Sequence, residues 1–210
     1  MDLARIAALL QPFCEDLSAA QLSSISTYID ILMRWNARMN LTAVRDAEHV
    51  VTRHFGESLF AARRLFPSAP QPARVVDLGS GAGFPGLPLK IWAPSLHLTL
   101  IESNHKKATF LREVIRALAL SDVEVFDERA EQFPAATADV VTLRAVERFE
   151  KALPIAARLT APGGRMALLI GRDQLPSLSA LAPTFRFADP DPIPQSSNRV
   201  LAVGQVESEI

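Results

Sequence analysis

Three charged side chains stand where strand signals run out in this sequence: Asp77, Glu102 and Arg144. Around the first, the stretch "RVVDLGSGAGFPGLPLK", residues 74–90, sets four glycines at 79, 81, 83 and 86, within eight positions. Glycine accepts positive φ and lets a ligand approach bare backbone. A tight turn without a ligand accounts for any one of these glycines. Four in eight positions after an apolar strand signal point to a binding turn. "GAGFPG", from Gly81, matches G-x-G-x-x-G, a weak signal taken alone.

The acid selects among ligands. A dinucleotide would bring an anionic pyrophosphate to the turn, and Asp77 would repel it. The dinucleotide fingerprint also sets its first glycine at the strand end, and Gly81 comes too late. No Gly-Lys-Ser/Thr follows, which excludes a P-loop. S-adenosylmethionine has no phosphate and carries an ammonium and a sulfonium, so a carboxylate at the strand end favours it. Asp77 is therefore expected to face the cationic end of the ligand. Glu102, 23 positions after Gly79, is expected to accept the ribose hydroxyls, a role it would play equally for NAD.

These residues need a scaffold, and the patterning supplies one. Residues 1–66 read as a helical lobe. "LSAAQLSSISTYIDILMRWNARM" sets Leu22, Ile25, Ile29, Leu32 and Met33 at helical spacing behind a Ser18 cap, and "AEHVVTRHFGESLFAARRLF" gives a second helix interrupted by Gly56. Residues 67–73, "PSAPQPA", form a connector. From residue 74 to 210 strands alternate with helices. Strand signals fall at 74–78, 97–102, 123–126, 138–143 and 165–170, and the helix "NHKKATFLREVIRALAL" is capped by Asn104. "TFRFA" and "RVLAVGQV" close the chain as an antiparallel edge. Strands spaced by helices require crossovers, so the expectation is an α/β, Rossmann-like, mostly parallel twisted sheet.

The bulk numbers agree. The 210 residues carry a net charge of −1, which counts mildly against a dedicated nucleic-acid binder but leaves room for a local arginine patch. One cysteine, Cys14, excludes an internal disulfide and fits a reducing, cytoplasmic compartment. No apolar run approaches membrane-spanning length, and "MDLARIAALLQPF" reads as a helix start and not as a signal peptide. No His/Cys/Asp spacing resembles a metal site. Trp35, Trp92 and His54 read first as packed or hydrogen-bonded structural residues.

Longer motifs carry a family resemblance. "WNARMNLTAVRD" (35–46), "RHFGESL" (53–59), "DLGSGAGFPGLPL" (77–89), "ESNHKKATFLREV" (102–114), "ERAEQF" (128–133) and "TLRAV" (142–146) occur in order along nearly the whole chain. It thereby resembles the bacterial small-subunit ribosomal RNA guanine-N7 methyltransferase family, the glucose-inhibited division protein B family. The resemblance implies a class I methyltransferase fold, S-adenosylmethionine as methyl donor, and N7 of a guanine in the decoding-region loop of 16S rRNA as target, position 527 in the common RNA numbering. It implies cofactor contacts from Gly79, Gly81 and Phe84 at the turn, Glu102 at the ribose, and Ala130 and Glu131 beside the adenine. Arg144 would face the methionine end or the incoming RNA as a positioning group. Asn36, Asn40 and His54 would come from the helical lobe.

Guanine N7 has a free lone pair at neutral pH, so the transfer needs alignment and no general base. Arg34, Arg38, His54, Arg148 and Arg199 are the candidate RNA contacts, with Arg45, Arg53 and Arg172 as further phosphate partners. The expected partner is 16S rRNA or the small ribosomal subunit, the protein acting as a monomer. Leu143, Glu147 and Ile170 depart from residues common in the family, as does Glu57 for aspartate, and the tail "GQVESEI" is acidic. Charge lost from the RNA face would leave a cofactor-sensing binding module, the alternative to an enzyme.

Overall fold

A computed structural model describes residues 1–67, 72–145 and 148–206. Five parallel-reading strands, β1 (Arg74–Leu78), β2 (His97–Ile101), β3 (Val123–Phe126), β4 (Ala138–Arg144) and β5 (Thr160–Gly171), are followed by β6 (Phe185–Phe187), the short β7 (Asp191–Pro192) and β8 (Arg199–Val206). The order across the sheet is β3-β2-β1-β4-β5-β8-β6, with β7 also paired to β8. All pairings among β1–β5 are parallel, and β8 joins β5 and β6 antiparallel. The expected mostly parallel sheet with an antiparallel edge is what forms. Strand order reverses between β1 and β4, and the groove at their carboxyl ends is where such sheets bind ligands.

Before the sheet come α1 (Leu3–Leu10) and α2 (Ala19–Met39). Ser18 and Gln21 form a reciprocal capping box that starts α2, and Asn40 ends it in the left-handed conformation. A continuous helical stretch then runs from α3 (Ala47–His49) through a π-helical turn (Val50–Gly56) into α4 (Glu57–Leu65). Gly56 does not interrupt this helix as its composition suggested. It is glycine for space: a Cβ there would lie 2.7 Å from the Phe13 ring. The rest of the helical layer is α5 (Gly86–Trp92), α6 (His105–Ala117), α7 (Phe149–Leu159) and α8 (Leu178–Leu181).

Each strand sends alternate residues to opposite faces. On one face Val75, Leu98, Val140, Ala167 and Leu201 join a single apolar cluster with Ile6, Ile25, Phe55, Leu59 and Leu87. On the other, Val76, Leu78, Val141, Leu143 and Ile170 pack against Leu153, Ala156 and Leu159 of α7. The N-terminal helices thus complete, with α5 and α6, the cover of one sheet face, sharing its core. Residues 68–71 of the proposed connector lie outside the described residues.

Candidate functional site

The turn after β1 takes positive φ at Gly79 (70°), Gly81 (56°) and Gly83 (86°). Two of these glycines serve different ends. A Cβ on Gly81 would meet nothing nearer than the Gly79 carbonyl at 3.8 Å, so this backbone is bare toward open space. A Cβ on Gly83 would strike Tyr28 Oη and come within 2.6 Å of Leu87 Cδ1. Gly83 therefore admits helix α2, whose Tyr28 hydroxyl donates to the Ala82 carbonyl and whose ring stacks on Phe84 at 5.4 Å.

Asp77 does not line the cavity that holds the other candidate residues, where the sequence reading had it facing the ligand. Its carboxylate is 1 % exposed and lies beneath the turn. Oδ1 accepts the Thr142 hydroxyl at 2.8 Å and Oδ2 accepts the Gly86 N–H at 3.2 Å. Strand alternation explains the error: Asp77 shares a face with Val75, and α5 docks over that face. Burial pushes the Asp77 carboxyl up to about 6, against the pull of those hydrogen bonds. The acid braces the turn from inside.

Glu102 does reach the open side. It follows β2, and its Oε2 accepts the Gly81 N–H at 2.9 Å while Oε1 accepts the Asn104 N–H at 2.9 Å. Each oxygen keeps one acceptor site for a hydroxyl. Asn104 in turn caps α6, accepting from the N–H groups of Lys106 and Lys107.

Beyond the turn lies a buried ionic cluster. Arg144, at the end of β4, reaches Glu57 Oε2 through Nε at 3.1 Å and Nη2 at 3.0 Å. The other Glu57 oxygen stands 3.1 Å from Arg199 Nε of β8. Arg144 Nη2 also donates to the Arg53 carbonyl at 2.9 Å and contacts His54 Nδ1 at 3.0 Å. His54 Nε2 is 2.7 Å from Thr42 Oγ1, and the imidazole stacks on Phe84 at 4.9 Å. Burial, with the guanidinium of Arg144 next, drives His54 down to about 3, so it stays neutral. Asn36 holds the loop that carries Thr42, accepting from the Thr42 N–H at 2.9 Å and donating to the Val44 carbonyl at 3.2 Å. Asn40 Oδ1 receives Arg45 at 2.7 Å.

One cavity of about 840 Å³ joins these parts. Gly79, Gly81, Phe84 and Glu102 line it, as do Ala130 and Glu131 of the short 3-10 turn after β3. His54, Arg144, Arg148 and Arg199 line its other end. Arg34 and Arg38 do not: they lie on the solvent side of α2, Arg34 beside Glu113 at 3.9 Å. Sequence reasoning missed Thr42, Lys107, Arg129 and Lys151, all of which reach the cavity. Thr42 and Lys107 sit inside motifs that had been read, one after the α2 cap and one at the α6 start. Seven cationic side chains face the cavity against three carboxylates among the described residues, on a chain of net charge −1. An anionic polymer is drawn to such a rim.

The departures from the family pattern mostly point elsewhere. Leu143 is 1 % and Ile170 2 % exposed, both in the apolar cluster under α7. They take no charge from the cavity. Glu147 and residues 207–210 lie outside the described residues. Trp35 donates to Glu113 at 3.0 Å and Trp92 to the Phe66 carbonyl at 3.1 Å, so both are packing residues.

Residues 21–189 match the family model described as GidB, rRNA small subunit methyltransferase G. The chain is 43 % identical over 169 residues to the ribosomal RNA small subunit methyltransferase G of Chloroflexus aggregans, covering 78 % of this chain and 70 % of that protein. It is 38 % identical over 181 residues to the protein of the same name from Xanthomonas campestris pv. campestris, covering 85 % and 82 %. Among solved structures it is similar to a SAM-dependent methyltransferase from Aquifex aeolicus, with TM-score 0.56, 16 % identity and 70 % and 89 % of the two chains covered. A protein from Agrobacterium tumefaciens described as a predicted O-methyltransferase gives TM-score 0.59 at 21 % identity, covering 73 % and 81 %. At those identities the likeness is one of fold.

Proposed function

This chain belongs to the rRNA small subunit methyltransferase G family, and from that premise we propose that it transfers a methyl group from S-adenosylmethionine to N7 of a guanine in 16S rRNA. The observation that carries the reading is the joining, in one cavity, of the glycine turn and Glu102 with the cationic rim. The first pair suits a nucleoside with a free ribose, the second an RNA backbone.

The residues present fit the methyl donor. Backbone at Gly81 is open where a side chain would stand in the way, and Gly79 beside it lines the same cavity at positive φ. Glu102 has acceptor capacity left for two ribose hydroxyls, and Ala130 and Glu131 close the wall where an adenine would lie. Bound S-adenosylmethionine would supply the electrophilic methyl. The protein's own task is to hold N7 in line and to exclude water, which in favourable systems lowers a barrier by about 7–11 kcal/mol.

No proton need leave guanine N7, and the site suits that requirement. His54, the one histidine lining the cavity among the described residues, has both ring nitrogens engaged and is kept neutral. Arg144 acts as a positioning residue: its Nε and Nη2 are committed to Glu57, the Arg53 carbonyl and His54, tying β4 to the helical cover. Lys107, Arg129, Arg148, Lys151 and Arg53 supply the phosphate contacts. N7 is poorly reached inside an A-form helix, so the target lies in a loop or is extruded.

The test is transfer of labelled methyl from S-adenosylmethionine into 16S rRNA and small subunits from cells lacking the enzyme, with the product nucleoside identified by mass. N7-methylguanosine in either substrate is expected. No incorporation into either overturns the assignment.

A further inference from the structure

We propose that the Thr42 hydroxyl is the donor that recognises O6 of the guanine undergoing methylation, and that His54 and Arg144 fix it in that role. The inference rests on the guanine-N7 reading above and names a specificity determinant of the same site.

The hydrogen-bond directions follow from what each group is able to do. A guanidinium only donates, so the 3.0 Å contact between Arg144 Nη2 and His54 Nδ1 makes that nitrogen the acceptor. A neutral imidazole then carries its proton on Nε2. That N–H donates to Thr42 Oγ1 at 2.7 Å. The Val44 N–H donates to the same oxygen at 3.1 Å. A hydroxyl oxygen has two acceptor sites, and both are filled. Thr42 is left able only to donate. Among the described residues nothing accepts its proton, and the side chain lines the cavity.

This one-way hydroxyl suits one purine. On the edge that carries N7, guanine presents two acceptors, N7 and O6, whereas adenine presents N7 and an amino donor. Thr42 O–H can donate to O6 and cannot accept from the adenine amino group. It leaves the N7 lone pair unclaimed for the incoming methyl. An unpaired donor against donor is costly in a site that excludes water. Discrimination therefore comes from a relay that begins at Arg144, two residues removed from the base.

The experiment uses the full-length enzyme, Thr42→Val and Thr42→Ser, and 16S rRNA carrying either guanosine or 2-aminopurine ribonucleoside at the mapped target. 2-Aminopurine keeps N7 and lacks O6. Single-turnover methylation is measured with S-adenosylmethionine saturating, and donor affinity is measured separately by calorimetry. Thr42→Val is expected to slow methylation of the guanosine RNA by about 10- to 100-fold, with donor affinity unchanged and Thr42→Ser retaining most of the rate. On the 2-aminopurine RNA the wild type is already slow, and Thr42→Val slows it no further. Equal slowing on both RNAs overturns the inference, because the threonine is then structural. So does a loss traced to weaker donor binding, which would give the hydroxyl to the methionine carboxylate. A wild type that never methylates the guanosine RNA overturns the functional reading itself.

Discussion

The two faces of the sheet are built from neighbouring residues of the same strands, yet they hold different matter. In β4, Thr142 and Arg144 look toward the N-terminal helices, while Val141 and Leu143 look toward α7. In β1, Asp77 takes the first side and Val76 and Leu78 the second. On the helical-cover side buried Thr142 donates to Asp77, and buried Arg144 meets His54 and Glu57. Under α7 the strands present Val, Leu and Ile. One face supplies polar groups with fixed directions, and the other supplies the stiffness that keeps them fixed. A substitution on either side should therefore fail in its own way.

Glu57→Ala tests the polar side hardest. It leaves Arg144 and Arg199 buried together without their counter-charge, and a broken buried pair costs about 3–5 kcal/mol. Denaturant unfolding checks this; a variant as stable as the wild type would mean the cluster is already solvated. Leu143→Ala tests the apolar side. A cavity under α7 is expected to cost about 3 kcal/mol, with methyl transfer unchanged at a temperature where the variant is folded. A large loss of activity there would erase the division of labour between the faces.

Asp77 sharpens the comparison through pH. The unfolded carboxyl titrates near 3.8 and the folded one at about 6, so between those values the folded protein holds a proton that the unfolded chain has released. The stability this contributes is present below the lower value and is lost as pH rises through the upper one. Wild type compared with Asp77→Asn is therefore expected to lose up to about 3 kcal/mol between pH 4 and pH 7, read from unfolding midpoints across that range. A flat difference would mean that the acid is ionised throughout. The smallest effect belongs to the rim. Lys151→Gln should leave the melting temperature alone and reduce the salt slope of RNA binding by about 0.7, one phosphate contact on a single strand.

Much of the scaffold was legible because its signals are local. The strands announce themselves by apolar runs, the α2 and α6 starts by Ser18 and Asn104, and the turn after β1 by its glycines. Direction was the harder part. Asp77 looked ligand-facing because a strand-end acid next to a glycine turn is ambiguous until the face covered by α5 is known. Glu57 and Arg144 meet across 87 positions, a pairing without local trace. Arg34 and Arg38 lie outside the cavity for the opposite reason. Their spacing against Ile25, Ile29 and Leu32 puts them on the outer side of α2. Thr42 looked ordinary, since a hydroxyl becomes selective only when its neighbours take away its choices.

The apolar cluster that contains Ile6 also contains Leu201. One apolar core therefore runs from α1 to β8, and neither the helical segment nor the sheet covers that core alone. Excising the sheet segment as a minimal catalyst would uncover the part of one sheet face that the first helices share, and the ring of Tyr28 would no longer be there to hold the glycine turn up.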